Sequence, residues 1–381
     1  MIYLDNAATS YPKPAVVRAE LYRALTKYPG NPGRGGHRLS LAAAETVFQT
    51  RSAVKDLIHA DSEEQIIFTQ NATFAINTIL QARVRPGIHL LISNLEHNSV
   101  YRPVYRLAQR GVISYSVFSP RGDVVANLNK VVRGNTRILL ATHVSNVTGE
   151  VLPVAEIADF CLRHQIYFIL DASQSIGHRE VDVRNISCDA LCAPGHKGLF
   201  GLQGSGILYI RQGDGLRDVF QGGSGSDSLS AEMPDYLPER LEPGTLATPS
   251  IGTLGAGVRW VMEQGVEEIE RHEEAFTERM FSLLSELPRV EIFSPPTGSI
   301  TAFRIPGIPS DAVANYLDRN DICVRGGYHC SSLAHHTLGT QDTGLVRISA
   351  GAFNNLRQAD EVARCVRSFL SEAPASDKPG E

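Results

Sequence analysis

Short apolar runs rich in β-branched residues alternate along the first 210 residues with segments whose apolar residues recur every three or four positions. Runs of this kind are typical of strands buried on both faces, and the segments between them of amphipathic helices. Their alternation predicts an α/β fold with a mainly parallel sheet covered by helices. The predicted strands are 65–69, 89–94, 112–118, 137–145, 166–173, 190–194 and 205–210, and the predicted helices between them include 41–60 and 153–165.

The pattern changes after about residue 250, which indicates a second unit. A long charged helix is predicted over 260–287, followed by shorter strands and a final helix over 359–373, as in a smaller α+β domain. A chain of 381 residues is long enough for two domains. We expect a large domain over 13–257 and a small C-terminal domain over 258–381, with residues 1–12 packed near the small one and a disordered tail over the last eight residues.

Composition excludes some classes of partner. The 36 Lys and Arg residues against 41 Asp and Glu give a formal net charge of −5, which favours neither nucleic acid nor a membrane surface. The first ten residues lack the features of a secretory signal, and no later run reaches the length of a membrane span, so a cytoplasmic protein is expected. The six cysteines are interpreted as reduced thiols.

Polar residues follow five of the predicted strands. Ligands of parallel sheets bind beyond the carboxyl ends of the strands, so these residues are expected to meet at one rim. They are Gln70, Asn71, Ala72 and Thr73; Glu96 and His97; His143, Ser145 and Asn146; Asp171 and Gln174; and Gly195, His196 and Lys197.

Of these residues, Lys197 and Asp171 limit most strongly which cofactor the site can bind. An amine in a shielded crevice has a lowered pKa, which makes the neutral form that attacks an aldehyde more available. A carboxylate at the end of an apolar strand needs a buried cation as its partner. Pyridoxal 5'-phosphate offers both partners, an aldehyde for the lysine and a protonated pyridine nitrogen for the aspartate. A helix that starts at Ala72 and Thr73 is suited to bind the phosphate.

The order and spacing of eight motifs resemble the class V, fold-type I pyridoxal phosphate enzymes, and among them the second group of cysteine desulfurases, which includes enzymes similar to selenocysteine lyase. The resemblance implies a seven-stranded, mainly parallel sheet in the large, cofactor-binding domain, and a homodimer. The motifs are YLDNAAT (3–9), FTQNATFAIN (68–77), LEHNSV (95–100), THVSNVTG (142–149), LDASQSIGHREVDV (170–183), GHK (195–197), EPGT (242–245) and RGGYHCSS (325–332).

The resemblance also implies a role for each matching residue. Around the cofactor, Lys197 bonds to the aldehyde, Asp171 faces the pyridine nitrogen, His97 lies over the ring and moves protons, and Gln174 and Asn146 lie near the phenolic oxygen. Ala72, Thr73 and His196 contact the phosphate, together with Thr245 from the second subunit. Arg347 clamps the α-carboxylate of the substrate, and Asn146 also contacts the substrate. The alternative for His97 is a structural role as a helix cap.

Cys330 distinguishes among the reactions of this class. It follows two glycines and stands beside His329, a setting suited to a partly activated thiolate on a flexible loop. The resemblance implies that L-cysteine is converted to L-alanine, with the sulfur held on Cys330 as a persulfide and then passed to an acceptor protein. The alternatives are selenocysteine cleavage or another class V reaction, namely transamination or carbon–sulfur lysis.

Some residues depart from the family pattern, and two rival interpretations exist. Pro194 stands where relatives usually have serine, Ser173 where they have alanine, and Tyr328 where many have histidine. The cluster of His329, Cys330, His335 and His336 lacks the paired spacing of a zinc site, so no metal is expected. The glycines from 198 to 206 precede a strand, unlike those of a dinucleotide fingerprint.

Overall fold

Strands and helices alternate through most of the chain, of which the computed structural model describes residues 1–33, 35–213, 215–226 and 228–372. The strands are β1 (Ile2–Tyr3), β2 (Ile66–Thr69), β3 (His89–Ser93), β4 (Ser114–Phe118), β5 (Thr136–Thr142), β6 (Tyr167–Asp171), β7 (Ala190–Pro194), β8 (Gly206–Ile210), β9 (Glu291–Ile292), β10 (Ile300–Arg304), β11 (Ile322–Cys323) and β12 (Val346–Ser349). The helices are α1 (Ala15–Thr26), α2 (Arg38–Ile58), α3 (Ala72–Arg83), α4 (Asn98–Gln109), α5 (Val124–Val131), α6 (Val154–His164), α7 (Val183–Ile186), α8 (Thr248–Gln264), α9 (Val266–Ser285), α10 (Ser310–Arg319), α11 (Ser332–Leu338) and α12 (Leu356–Glu372).

A seven-stranded sheet with the order β2-β8-β7-β6-β5-β3-β4 forms the centre of the described chain. The neighbours from β4 to β7 run parallel, whereas β8 is antiparallel to both β7 and β2. The predicted α/β fold with a mainly parallel seven-stranded sheet is therefore confirmed. The parallel strands end at the same edge, which brings the polar residues after β3, β5, β6 and β7 together.

Both faces of this sheet are covered by apolar layers. In β6, Ile169 packs into the layer on one face, whereas Phe168 and Leu170 pack into the layer on the other. These three side chains are at most 1% exposed. Burial of each such side chain stabilises the fold by about 1.5–3 kcal/mol, which explains why these strands read as continuous apolar runs.

The C-terminal part forms a second, smaller sheet. Strands β12, β10 and β9 pair antiparallel, and their core includes residues of α9, α10 and α12. The first strand, β1, pairs in parallel with β11, so the N-terminal segment joins this part of the molecule. The last eight residues lie outside the described residues, as does Ala373, the last residue of the predicted final helix.

The prediction of one helix over 260–287 is wrong. Helix α8 ends at Gln264 and α9 begins at Val266, because Gly265 between them has a φ of +84°, a left-handed conformation that glycine adopts readily. Helix α8 also runs through the expected domain boundary at 257/258, so the division into two domains remains a prediction. Within the described residues, no helix has the length and apolar character needed to cross a membrane.

Candidate active site

A cavity of about 160 Å³ lies beyond the carboxyl ends of the central strands. It joins residues from five segments that are far apart in the sequence: the ends of β5, β6 and β7, each with the residues that follow, and the starts of α3 and α4. Eight of the predicted site residues line it, namely Ala72, Thr73, His97, Asn146, Asp171, Gln174, His196 and Lys197. The other three, Thr245, Cys330 and Arg347, lie outside its wall.

Lys197 follows β7 in a tightly packed turn. A Cβ atom added at the next residue, Gly198, would lie only 2.3 Å from the carbonyl oxygen of Ile176, so the two backbones touch where only glycine fits. Burial lowers the pKa of Lys197 to about 8, and the positive charge of Arg347 acts in the same direction. The negative charge of Asp171 opposes this shift only in part. The amine is therefore far easier to deprotonate than an ordinary lysine.

Asp171 ends β6 as a carboxylate that is only 2% exposed. Its Oδ1 accepts a hydrogen bond from the backbone N–H of Ser173 at 3.0 Å, and among the described residues no basic side chain forms an ion pair with it. Burial raises the pKa of Asp171, because a carboxylate without a bonded cation is costly to keep charged away from water. The geometry thus leaves a buried acid without a bonded cation at the wall of a cavity.

The start of α3 offers donors to an anion. Asn71 caps the helix by accepting a hydrogen bond from the N–H of Phe74 at 3.0 Å. The N–H groups of Ala72 and Thr73 belong to the first turn, where backbone donors have no partner within the helix. His196 lies in the same wall, and burial lowers its pKa to about 4, so its ring is neutral near pH 7.

His97 caps α4, as the alternative interpretation expected, and it also lines the cavity, so the cap does not exclude the role predicted at the cofactor. Its Nδ1 accepts a hydrogen bond from the N–H of Ser99 at 3.0 Å. Burial and the charges of Lys197 and Arg347 lower the pKa of His97 to about 4. The ring is therefore neutral near pH 7, and because Nδ1 is an acceptor, its proton resides on Nε2.

The amides of Gln174 and Asn146 already have partners within the protein. Gln174 donates from Nε2 to the carbonyl oxygen of Ala7 at 3.0 Å. Asn146 donates from Nδ2 to the carbonyl oxygen of His329 at 2.8 Å, and its Oδ1 accepts a hydrogen bond from the hydroxyl of Ser331 at 2.8 Å. Asn146 therefore bonds to both neighbours of Cys330, a contact that the sequence did not indicate.

Cys330 is exposed, and its backbone carbonyl accepts a hydrogen bond from the N–H of Asn98 at 2.7 Å. The sequence placed His329 beside Cys330 in a setting suited to an activated thiolate, but the structure shows no such contact. The ring of His329 is buried, its Nε2 donates to the carbonyl oxygen of Leu345 at 3.0 Å, and its Nδ1 has no hydrogen-bond partner among the described residues. Burial holds the pKa of His329 well below its usual range, so the ring is neutral and does not bond to the thiol.

Arg347 lies on β12 with only 2% of its surface exposed. Its Nη1 donates to the carbonyl oxygen of Asn146 at 2.8 Å, and its Nη2 donates to Oδ1 of Asp5 at 2.9 Å. The guanidinium group predicted to clamp a carboxylate is thus already paired with one. Sequence reasoning missed Arg325, whose positive charge also lowers the pKa of Lys197; its place in the RGGYHCSS motif was the available signal.

Thr245 is exposed and stands apart from the cavity of Lys197. Its hydroxyl accepts a hydrogen bond from Nδ2 of Asn31 at 3.3 Å, and the residue lines a separate cavity of about 500 Å³. Within one chain, Thr245 is therefore not brought to the other predicted site residues. In the described part of the chain, no group of three or more His, Cys, Asp or Glu side chains is arranged to hold a metal ion.

Comparisons with known proteins show which family this chain is similar to. The family model "Aminotransferase class-V" matches residues 2–363. A "Probable cysteine desulfurase" of Methanothermobacter thermautotrophicus is 35% identical over 365 residues, which span 93% of this chain and 90% of that protein. The apo structure of a cysteine desulfurase from Thermococcus onnurineus is 30% identical with a TM-score of 0.91, over 98% of this chain and 95% of that one.

A third comparison extends the similarity in fold. The cysteine desulfurase CsdA (S-sulfonic acid) from Escherichia coli is 24% identical, with a TM-score of 0.88 over 97% of this chain and 94% of that one. The resemblance predicted from the motifs is confirmed over nearly the whole length. The chain belongs to the aminotransferase class-V family.

Proposed function

We propose that this protein is a pyridoxal phosphate-dependent cysteine desulfurase, which converts L-cysteine to L-alanine and retains the sulfur on Cys330 as a persulfide. One observation carries the proposal: Lys197, with a pKa of about 8, and Asp171, without a bonded cation, line one cavity with the start of α3. The cysteine desulfurases among its relatives support the choice of substrate.

The residues of the cavity fit the cofactor. Asp171 is a buried acid that a pyridinium N–H would satisfy, and the free N–H groups of Ala72 and Thr73 suit a phosphate. Lys197 is the amine within reach of the same space. When bound, pyridoxal phosphate supplies an aldehyde that bonds to amines and a ring that withdraws electrons from the substrate α-carbon.

Lys197 and His97 divide the proton chemistry between them. With a pKa of about 8, about one tenth of the Lys197 amine is neutral at pH 7, roughly 300-fold more than for an unshifted lysine. Its Nζ can therefore attack an aldehyde and, once released, take up the α-proton of the substrate. His97 is neutral with its proton on Nε2, which makes it a hydrogen-bond donor to the cavity rather than a base.

Cys330 accepts the sulfur in this proposal. Its thiolate attacks the sulfur of the bound cysteine, so that a sulfur–sulfur bond forms and the carbon–sulfur bond breaks. The electron pair of the broken bond stays on the substrate carbon, which takes up a proton and becomes the methyl group of alanine. The persulfide on Cys330 then passes its outer sulfur to a thiol of an acceptor protein, and the exposure of Cys330 supports that step.

The remaining roles belong to the same proposal. Arg347 binds the α-carboxylate of the substrate through the N–H groups that Asn146 and Asp5 do not use, among them its buried Nε, which has no partner among the described residues. Thr245 completes the phosphate site of a second subunit in a homodimer, which its exposed position outside the cavity of its own chain supports.

Product analysis tests the proposal. The purified protein loaded with pyridoxal phosphate is given L-cysteine, and alanine and the persulfide on each cysteine are quantified. Wild-type protein should form one equivalent of persulfide on Cys330, and Cys330→Ala should form none while it still binds the cofactor. Cys365→Ala is the matched control, because Cys365 is a half-buried cysteine on α12 and should not matter.

Three outcomes would contradict the proposal or one of its parts. Alanine formation by Cys330→Ala at the wild-type rate would mean that this thiol does not accept the sulfur. Cleavage of selenocysteine independent of Cys330, with no cleavage of cysteine, would favour the selenocysteine lyase alternative. A Lys197→Ala variant that still forms a borohydride-reducible link to the cofactor would move the lysine role to another residue.

A further inference from the structure

Two consecutive residues at the proposed nucleophile have an unusual backbone. His329 has a φ of +47° and Cys330 a φ of +56°, both in the left-handed region. Residues other than glycine rarely adopt it, because their Cβ atom crowds the backbone. Such conformations persist only where the surrounding structure holds them, and they cluster at functional sites.

Two asparagines from the edge of the central sheet bond to this segment on both sides of Cys330. Asn146 bonds to the carbonyl of His329 and to the hydroxyl of Ser331, each at 2.8 Å. Asn98 donates its N–H to the carbonyl of Cys330 at 2.7 Å, and its Oδ1 accepts a hydrogen bond from the hydroxyl of Ser332 at 3.1 Å. Four consecutive residues, 329–332, are thus each held by one of the two asparagines.

The two asparagines tie this segment to the cavity rather than to a remote part of the fold. Asn146 lines the cavity of Lys197, and Asn98 directly follows His97, which lines it too. The bonds use backbone and hydroxyl groups, so the thiol of Cys330 is not consumed by them. The side chain remains exposed while its backbone is fixed.

We infer that Asn98 and Asn146 are positioning residues that hold the backbone of Cys330 in a left-handed conformation beside the cavity wall to which Asn146 belongs. The inference rests on the proposed function for its catalytic consequence. It assigns to Asn146 a role different from the contact with cofactor or substrate expected from the sequence. An asparagine suits this task because one planar amide offers a donor and an acceptor, which meet a carbonyl on one side of Cys330 and a hydroxyl on the other.

The test uses two variants that leave Asn146 in place. Asn98→Ala removes the Oδ1 acceptor for Ser332 and keeps the bond from the backbone N–H of residue 98 to the carbonyl of Cys330, and Ser331→Ala removes the hydroxyl that donates to Asn146. In the protein loaded with pyridoxal phosphate, the rate of persulfide formation should fall about tenfold in each variant, the scale set by loss of one or two hydrogen bonds. The KM for cysteine and the absorption spectrum of the cofactor should stay within twofold of wild type. Asn320→Ala is the matched control, because Asn320 is an exposed asparagine whose side chain bonds, among the described residues, only to the carbonyl of Tyr316.

A second readout does not depend on turnover. Amide hydrogen exchange of residues 329–334 should become faster in Asn98→Ala and Ser331→Ala, with or without the cofactor. Asn98→Asp keeps Oδ1 as the acceptor for Ser332 and should restore the wild-type exchange. Unchanged exchange and an unchanged rate in both variants would overturn the inference. If wild-type protein forms no persulfide, the proposed function fails, and the exchange data alone then decide whether the asparagines hold the segment.

Discussion

The lowered pKa of Lys197 predicts a distinctive pH profile for capture of the cofactor by the apoprotein. Only the neutral amine attacks an aldehyde, so the capture rate follows the neutral fraction. With a pKa of about 8, this fraction is about 9% at pH 7, 50% at pH 8 and 90% at pH 9. The rate should therefore rise about fivefold from pH 7 to 8 and less than twofold from pH 8 to 9. An unshifted lysine would give a nearly tenfold rise in both intervals.

The assay mixes apoprotein with pyridoxal phosphate and follows the visible absorption band in a stopped-flow instrument between pH 6.5 and 9.5. Borohydride reduction and peptide mass spectrometry then locate the link. Lys13 is the necessary control, because burial lowers its pKa to about 8 as well. Its Nζ donates to the hydroxyl of Ser10 and to the carbonyl of His196, at 2.8 and 2.9 Å, so it lies close to the same site.

The two lysines are separated by substitution. Lys13→Arg should keep both the pH profile and the link to the cofactor at residue 197. Lys197→Ala should lose the rapid rise of the visible absorption band. A rate that rises tenfold per pH unit up to pH 9.5 would refute the argument that burial shifts the pKa of Lys197. A break near pH 8 that survives in Lys197→Ala would assign the profile to Lys13.

Three further predictions concern stability and packing. Glu242→Gln should lower the free energy of unfolding by about 3 kcal/mol in guanidinium titrations, because it breaks a bidentate pair with Arg51 in which both side chains are under a tenth exposed; a loss below 1 kcal/mol would contradict this. Lys197→Met should stabilise the apoprotein by about 3 kcal/mol at pH 7, because it removes a buried ammonium whose pKa is lowered from 10.5 to about 8, and the gain should shrink from pH 8 to 10.5, where the folded lysine is already neutral; a gain independent of pH would refute this cause. Gly198→Ala places a Cβ atom 2.3 Å from the carbonyl oxygen of Ile176, so the turn must shift and cofactor capture should slow roughly tenfold to a hundredfold in the stopped-flow assay; an unchanged rate would mean that the turn adapts at no cost.

The sheet and most of the cavity were predictable because both depend on local patterns. Apolar runs mark the buried strands, and the parallel order of those strands places the residues after them at one edge whatever lies between. Asp171 and Lys197 line the same cavity for this reason, although Asp171 ends β6 and Lys197 follows β7. The break at Gly265 was missed because the charged pattern of α9 continues across it, while a single glycine is compatible with either a helix interior or a helix end.

The hydrogen-bond and ion-pair partners of the site residues could not be predicted from the sequence. These contacts join segments that are far apart in the chain and that no common sequence pattern connects. Arg347 pairs with Asp5, which is 342 residues away, and Asn146 bonds to His329, 183 residues away. Each side chain was expected to face a ligand, since a guanidinium or an amide can bind a ligand or the protein equally well. Through these contacts Asn146 joins the two halves of the proposed chemistry. Its backbone carbonyl accepts from Arg347 and its amide bonds to both neighbours of Cys330, so one residue contacts both the predicted carboxylate site and the backbone segment that carries the thiol.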